Sequence, residues 1–450
     1  MSNLTRCTPV GRADFRQALG LWDSVAIITA IVVGVGIFRT PAEVAGYLSH
    51  PAVILAAWLL GGIICLLGAL CYAELSAAFP KTGGNYIYLR QAYGKLPAFL
   101  FAWAEFFAIR TGSIAAVAFI GAEYLQSFLS INASFIKPMA VFIVLFLSCI
   151  NMFGLRGGKK VHNVFTALNI AALISIILSG FIFRRGDMSH FFAGSVSLDG
   201  NILRALGLAL IPILWTYGGW HENTFMSEET NAAAKTIPRA LIIAILIITL
   251  LYLAVNFFYI YMMPVKDLSA SAIIGSDIFN LLYGPGGRKI FEALVVAASL
   301  GSINAMIITG ARITFAASED SPFFSSIAKL SSKHGVPQRA IAINAAWCLL
   351  LIALGNFNKL LFFTGILVWL FFAAAAAGIF VLRKKSPGLN RPYKVPGYPA
   401  TPAVFALICA ALFINALIFN PLPSIFGLFL LLSGVPVYFL SCLRQRRKNG

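Results

Sequence analysis

Two pairs of closely spaced glycines lie within long apolar stretches of the sequence. The first pair is Gly34 and Gly36, and the second is Gly218 and Gly219, which strongly polar residues follow directly. A glycine inside a helix costs about 1 kcal/mol relative to alanine, so each pair predicts a break in the helix. The alternative interpretation is close helix–helix packing through small residues.

A break of this kind leaves backbone groups free to bind a ligand. A half-helix that starts near Ile37 would present unpaired N–H groups and a positive dipole end, which suit a carboxylate. A half-helix that ends near Tyr217 would present unpaired carbonyl groups, which suit an ammonium group. The two breaks together would recognise the zwitterionic end of an α-amino acid, and nearby side chains would select among amino acids.

Charged residues within apolar stretches are a second candidate for chemistry. Glu74, Glu105 and Arg110 lie at such positions, and an ionisable residue at membrane depth is a functional candidate by default. Residues five apart do not share a face of an α-helix, so Glu105 and Arg110 are each expected to pair with another helix. Glu222 is the only acid near the second glycine pair. Unless it faces the ligand, nothing there selects a second positive charge, which favours neutral amino acids over arginine or polyamines.

The composition requires that most of the chain faces lipid. Of 450 residues 59% are hydrophobic and only 11% are charged, which is too little polar surface for a soluble protein of this size. A soluble enzyme, a secreted disulfide scaffold and a disordered protein are excluded. A hydrocarbon core of about 30 Å needs about 20 apolar residues per helix, and this predicts twelve spans: 20–47, 51–79, 95–128, 136–154, 161–183, 201–229, 237–263, 289–318, 338–355, 358–383, 400–419 and 422–442. Glycines interrupt the first span and no cleavage site follows it, so a signal peptide is not expected.

The distribution of basic residues predicts the orientation. With both termini in the cytoplasm, 23 of the 34 Lys and Arg residues fall on that side and 9 on the other, while Arg110 and Arg312 lie inside helices. This asymmetry is the positive-inside pattern. It accounts for the net charge of +18 without a nucleic acid partner.

One break lies in the first helix of each of two successive blocks of five helices. Interrupted helices at corresponding positions of two halves are typical of an inverted-repeat secondary transporter. The predicted organisation is a cytoplasmic tail, two repeats, a cytoplasmic loop, two additional helices and a basic cytoplasmic tail, at 1–19, 20–183, 184–383, 384–399, 400–442 and 443–450. No cysteine or histidine spacing indicates a metal site or disulfide framework, and no P-loop appears, so no cofactor and no enzymatic reaction are expected.

Several motifs resemble the amino acid–polyamine–organocation superfamily, and its L-type amino acid transporter family in particular. They are Gly34–Phe38 (GVGIF), the inner loop 79–90, Glu105 with Arg110–Ser113, Tyr217–Trp220 (YGGW) with Glu228 and Glu229, Gly301–Asn304 and Arg391–Pro399. The resemblance implies an all-α, LeuT-like fold of two five-helix inverted repeats. It also implies an amino acid site formed by Gly34, Val35, Gly36, Ile37, Ile109, Ser113, Trp215, Thr216, Gly218, His221 and Trp369, with Trp215 as an aromatic gate that closes over the substrate.

Three residues depart from the family pattern. Val35 stands where serine is usual, which removes a hydroxyl contact. His221 replaces asparagine or glutamate, and a histidine there either couples proton movement to the gate or is a neutral hydrogen-bonding residue. Asn169 stands where many sodium-independent relatives carry lysine, so proton coupling, sodium coupling and uncoupled exchange all stay open. Together with Glu105, His221 and Asn169 are the coupling candidates.

The sequence therefore predicts a bacterial amino acid permease of the inner membrane, acting as an exchanger or a proton-coupled symporter on neutral amino acids. A cationic amino acid or polyamine carrier is the alternative, and a membrane amino acid sensor is a further one. Animal L-type relatives are joined to a glycoprotein subunit through a cysteine between spans 3 and 4. Residues 126–139 contain no cysteine, so no disulfide-linked partner subunit is expected.

Overall fold

The computed structural model describes residues 19–153, 173–176, 178–179, 186–192, 201–318, 321–329, 331 and 336–449. Within this part of the chain, nine helices are long and apolar enough to cross a membrane, namely Pro51–Ala78, Lys95–Leu129, Ala133–Met152, Ile202–Glu229, Ala233–Met262, Ile274–Gly310, Phe357–Lys385, Ala400–Phe419 and Pro421–Leu443. Two shorter apolar helices are Leu21–Val32 and Gln338–Leu354. These eleven lie where spans are predicted. The predicted span 161–183 falls mostly outside the described residues, so the count of twelve stays a prediction.

Shorter elements connect these helices. The α-helices are Thr40–Tyr47, Asn85–Tyr93, Val265–Ala270 and Pro322–Ile327, and the 3₁₀ segments are Val35–Phe38, Ala133–Phe135, Met188–Phe192 and Trp220–Glu229. The helix Ile274–Ser318 contains a kink at Gly284, whose φ of +70° is left-handed. The predicted span 289–318 begins after this kink.

Large apolar side chains cover the outer faces of the peripheral helices. Leu250, Leu407 and Phe429 are each about 70% exposed, whereas Trp58 and Tyr72 in the interior are fully buried. In water such a surface would be an aggregation hazard, but in a bilayer it contacts lipid. The arrangement agrees with the membrane location expected from composition.

The helix breaks at the first glycine pair, as the sequence predicts. The α-helix Leu21–Val32 ends there, and Gly34 precedes the 3₁₀ turn Val35–Phe38. A new α-helix then begins at Thr40. The chain thus has no α-helical turn between residues 33 and 39.

The second break begins where the helix Asn201–Thr216 ends. Gly219 has φ +98°, and a Cβ on this residue would lie 2.7 Å from Cγ2 of Ile31. Only glycine meets both the left-handed backbone and the close approach. The following segment, Trp220–Glu229, is 3₁₀ rather than α-helical.

A π-helical turn at Glu105–Ile109 interrupts the segment Lys95–Leu129. The N–H group of Arg110 donates to the carbonyl of Glu105, the residue five positions earlier, so these two residues come to lie on the same side of the helix. Their side chains form an ion pair with a separation of 2.7 Å between Nη2 of Arg110 and Oε1 of Glu105. The prediction that they do not share a helix face is wrong, because it assumed 3.6 residues per turn throughout.

Candidate functional site

A cavity of about 160 Å³ lies between the two breaks and three further helices. Its wall contains ten of the eleven residues implied by the resemblance: Gly34, Val35, Gly36, Ile109, Ser113, Trp215, Thr216, Gly218, His221 and Trp369. Ile37 is fully buried and lies outside the wall. Residues distant in the sequence are therefore brought to one cavity by the breaks.

The two breaks approach each other closely across this cavity. A Cβ on Gly36 would lie 3.1 Å from Cζ3 of Trp215 and 3.4 Å from the side chain of Thr216. The hydroxyl groups of Thr40 and Thr216 are 2.7 Å apart, and the Thr40 hydroxyl also donates to the carbonyl of Gly36. Because Gly36 has no side chain, the ring of Trp215 can pack beside the first break.

A single buried hydroxyl connects the ends of the two half-helices. The hydroxyl of Tyr252 lies 2.8 Å from the carbonyl oxygen of Val32 and 3.1 Å from that of Thr216, so that its one proton is shared between the two acceptors. Both carbonyls belong to the last turn of a broken helix, where intrahelical partners are lacking. Tyr252 therefore satisfies part of each break from one side and holds the two ends together.

Trp215 belongs to an aromatic layer beside the cavity. Its ring meets that of Phe357 edge to face, with centroids 5.7 Å apart. The guanidinium of Arg39 lies 5.2 Å from the centre of the Phe357 ring and pairs with Glu43 at 2.8 Å and Glu123 at 3.2 Å. The layer thus joins both broken segments to the helices Lys95–Leu129 and Phe357–Lys385.

Three predicted side chains form another part of the wall. Ile109 and Ser113 come from the segment Lys95–Leu129, and Trp369 comes from Phe357–Lys385. The ring of Trp369 lies against Gly365, one turn earlier, where a Cβ would be 3.2 Å from Cη2 of the indole. Gly365 therefore leaves room for this indole on the cavity wall.

Three charged residues form a triad on the wall. Arg110 donates from Nη2 to Glu105 at 2.7 Å and from Nη1 to Glu222 at 3.0 Å. The side chains of Glu105 and Arg110 are each 5% exposed, and that of Glu222 is 13% exposed. The Glu105–Arg110–Glu222 triad links the π-helical turn to the second break.

His221 lies beside this triad within an aromatic cluster. Its ring centroid is 5.0 Å from that of Phe372, 5.5 Å from those of Trp220 and Phe225, and 6.0 Å from that of Tyr72. Its Nδ1 atom is buried without a hydrogen-bond partner. Of the other coupling candidates, Glu105 lies on the cavity wall, and Asn169 lies outside the described residues.

Several wall residues were not identified from the sequence. They are Ala298, Ala305, Met306 and Thr309 on one helix, where Gly301 and Ser302 of the Gly301–Asn304 motif also line the wall, and Thr364, Gly365, Val368 and Phe372 on another. Gly219 and Glu222 at the second break, noted in the sequence but not assigned to the site, line it too. The two helical sets recur at intervals of three or four residues, as one face of a helix does. The first set is also rich in small residues, and this combination was the available signal.

The wall presents backbone groups of both breaks next to the charged triad. Gly34, Val35 and Gly36 come from the first break, and Trp215, Thr216 and Gly218 from the second. The N-terminal N–H groups and C-terminal carbonyl groups at helix ends suit a carboxylate and an ammonium group respectively. Residues of both breaks and of the triad thus line the same cavity.

The sequence matches known proteins along nearly its whole length. The profile of a family described as amino acid permease matches residues 19–438. The b(0,+)-type amino acid transporter 1 of Mus musculus is 28% identical over 97% of this chain and 90% of its own length. The serine/threonine exchanger SteT of Bacillus subtilis is 27% identical over 94% of this chain and 96% of its own. The human large neutral amino acids transporter small subunit 2 is 28% identical over 97% of this chain and 82% of its own.

Proposed function

This chain belongs to the amino acid permease family, and from that premise we propose that it moves α-amino acids across a membrane by alternating access. The observation that carries the proposal is the pair of breaks meeting at one cavity, with Gly36 beside Trp215. Backbone groups of both breaks line the cavity, and such groups recognise the part that all α-amino acids share.

Transport requires that the cavity opens to the two sides in turn. We assign Trp215 as the gate, because its indole contacts the first break and packs on Phe357 at the start of another helix. The organisation as two inverted repeats, 20–183 and 184–383, is part of the proposal. So is the orientation with both termini in the cytoplasm, which the 23 basic residues on that side support.

Neutral amino acids are the proposed substrates, with Ile109, Ser113 and Trp369 selecting the side chain. Among the described residues, the wall carries two carboxylates and one guanidinium, from Glu105, Glu222 and Arg110. The position of Glu222 on the wall favours a cationic amino acid carrier as the second candidate. The relatives' printed names include a b(0,+)-type transporter, a serine/threonine exchanger and a large neutral amino acid transporter, so they do not decide between the two.

The test is exchange in liposomes that contain the purified protein. Labelled amino acids from a panel are added outside, with and without unlabelled amino acid inside, at equal pH on both sides. We expect uptake of neutral amino acids that depends on internal amino acid if the protein is an exchanger. Binding without uptake would overturn the transporter proposal, and uptake restricted to arginine, lysine or putrescine would favour the cationic alternative. Imposed pH and sodium gradients then separate coupled transport from exchange.

A further inference from the structure

The ring of Phe225 links the cavity wall to a loop between two spans. His221 lines the cavity, and its ring centroid lies 5.5 Å from that of Phe225. The Phe225 ring also meets Gly84, in the loop 79–84 that follows the span Pro51–Ala78. Phe225 is 2% exposed. It therefore fills the space between the cavity wall and the side of the membrane that holds this loop.

The backbone of the loop leaves space for this ring. Gly84 has φ +45°, a conformation that glycine adopts without steric cost. A Cβ on Gly84 would overlap Cδ1 of Phe225 and would lie 2.6 Å from the hydroxyl oxygen of Thr224. Pro80 and Lys81, earlier in the same loop, are exposed. Because Gly84 has no side chain, Phe225 can pack directly against the loop.

The segment Trp220–Glu229, which carries Phe225, contacts the first broken helix at both of its ends. At one end, the N–H group of Leu19, just before that helix, donates to the carbonyl of Glu229 at 3.1 Å. At the other end, a Cβ on Gly219 would lie 2.7 Å from Cγ2 of Ile31. The helix and the segment are therefore held together, and we expect them to move as one unit.

The loop belongs to a second unit, because the helix that follows it is fastened to the helix Phe357–Lys385. The hydroxyl of Tyr93 donates to the carbonyl of Ala374 at 2.9 Å. Nζ of Lys385 donates to the carbonyl of Ala92, also at 2.9 Å. The helix Phe357–Lys385 lines the cavity as well. The contact between the aromatic ring and the loop thus joins two separately anchored units.

The proposed gate residue Trp215 lies toward the other end of this wall helix. Trp215 packs on Phe357, the first residue of the helix, whereas Lys385, which fastens the loop, is the last. A helix of 29 residues is about 43 Å long, which exceeds a hydrocarbon core of about 30 Å. The contacts of Trp215 and Phe225 therefore lie toward opposite sides of the membrane.

We propose that Phe225, packed on Gly84, is the inner closure of the transport path, where the inner side is the side that holds the loop 79–84. The proposal rests on the proposed function and adds the step by which the cavity opens to this side. When the unit that carries Phe225 moves away from the wall helix, its ring leaves Gly84. The substrate then passes between the two units. Return of the ring closes the path.

The first test measures access to the cavity from each side. Ser302 lies on the cavity wall and is replaced in the full-length protein by Ser302→Cys. A membrane-impermeant thiol reagent is applied to right-side-out and inside-out vesicles, and the protein without this substitution gives the background from native cysteines. We expect Phe225→Ala to raise labelling from the inner side by about fivefold or more, because an edge-to-face aromatic contact is worth about 1 kcal/mol. Labelling from the other side should stay unchanged.

Two further variants show whether this effect is specific. Trp215→Ala should raise labelling from the outer side instead. Phe291→Ala removes another fully buried phenylalanine, which packs on Phe38, and should leave labelling from the inner side unchanged. Unchanged labelling in Phe225→Ala, or an equal rise from both sides, overturns the proposal.

Gly84 and Gly94 form a matched pair at the two ends of the helix Asn85–Tyr93. Both have positive φ, at +45° and +98°, but nothing lies within 4 Å of a Cβ on Gly94. Gly84→Ala should raise labelling from the inner side and Gly94→Ala should not. An equal rise in both would assign the effect to backbone strain and overturn the proposal. Gly84→Ala combined with Phe225→Ala should label no faster than the faster single variant, and additive effects also contradict the proposal.

A reversible cross-link gives a measurement that does not depend on the loss of a side chain. The hydroxyl oxygen of Thr224 would lie 2.6 Å from a Cβ on Gly84, so cysteines at these positions lie within reach of a disulfide. The probe is labelled L-serine, L-leucine or L-lysine, whichever the wild type exchanges in liposomes. We expect oxidation of the Gly84→Cys/Thr224→Cys variant to stop exchange and a reductant to restore it, while the oxidised wild type is unaffected.

The outcomes separate this proposal from the proposed function. Full exchange by the cross-linked protein overturns the inner closure alone, whereas absence of exchange by the wild type overturns the proposed function as well. If the two cysteine substitutions themselves stop exchange, the labelling of Ser302→Cys decides.

Discussion

Arg110 and Glu222 form an ion pair of 3.0 Å between the long segment Lys95–Leu129 and the second break. They are 112 residues apart in the sequence, and the same guanidinium also binds Glu105. The pair therefore fixes the second break against a helix that supplies Ile109 and Ser113 to the cavity wall.

Replacement of this arginine should destabilise the protein strongly. Arg110→Met leaves two poorly exposed carboxylates without a partner, and breaking a buried pair in this way typically costs about 3–5 kcal/mol. We expect a clearly lower unfolding temperature in detergent. The control is Lys137→Met, because Lys137 binds only the carbonyl of Ala353 at an exposed site. Adding Glu105→Gln and Glu222→Gln to Arg110→Met should recover stability, and failure to recover would contradict the electrostatic explanation.

Trp215 should be needed for exchange because its ring can close the cavity. Trp215→Ala removes the edge-to-face contact with Phe357, worth about 1 kcal/mol beyond burial. We expect a loss of exchange of about fivefold or more, since about 1.4 kcal/mol corresponds to a factor of ten. Trp215→Phe should retain part of the activity. The control is Trp22→Ala, at a side chain that is 69% exposed, and undiminished exchange by Trp215→Ala would remove the gate assignment.

Gly112 and Gly46 offer a matched pair of helical glycines. A Cβ on Gly112 would overlap the Cγ2 methyl group of Thr364, whereas nothing lies within 4 Å of a Cβ on Gly46. Gly112→Ala should therefore separate two helices of the cavity wall and destabilise the protein by about 1–3 kcal/mol. Gly46→Ala should leave stability unchanged or raise it by about 0.5–1 kcal/mol. The measurement is thermal unfolding of both variants in detergent. Similar unfolding midpoints would contradict the prediction, because they would show that the side chain of Thr364 makes room for the added methyl group without cost.

Glu74 should hold the loop that follows the helix Phe357–Lys385. Its carboxylate accepts two bonds from Arg383, at 3.0 Å and 2.7 Å, and one from the N–H group of Val395 at 2.7 Å. Glu74→Gln loses the charge and one acceptor, so residues 386–399 should open more often. We expect faster hydrogen exchange in that loop alone. Glu43→Gln, which pairs with Arg39 elsewhere, should leave the loop unchanged.

The apolar spans and the second helix break could be predicted from the residue types in the sequence. An α-helix that crosses lipid needs a long apolar run, so the spans could be predicted from the sequence. Gly219 adopts a left-handed conformation beside Ile31, and glycine is the residue that marks such a point. The break and its approximate residue number were therefore predictable, and so was the position of Trp215 next to it.

The charged part of the wall could not be predicted in the same way. A π-helical turn has no residue type that marks it, so the ion pair of Glu105 with Arg110 was not foreseen. The direction of Glu222 depends on the 3₁₀ geometry of Trp220–Glu229, which has three residues per turn. Whether Glu222 faces the ligand was left open by the sequence, and the structure places Glu222 on the cavity wall.

The number of residues in the π-helical turn determines which side chains of this segment face the cavity. The turn accommodates one residue more than an α-helix would, and one residue corresponds to a rotation of about 100°. Deletion of Phe107 would rotate the C-terminal half of the segment relative to the N-terminal half and would carry Ser113 away from the cavity. Sequences that lack the extra residue therefore need a one-residue gap here before their pocket residues are compared. Without that gap, conserved chemistry would be assigned to the wrong face of the helix.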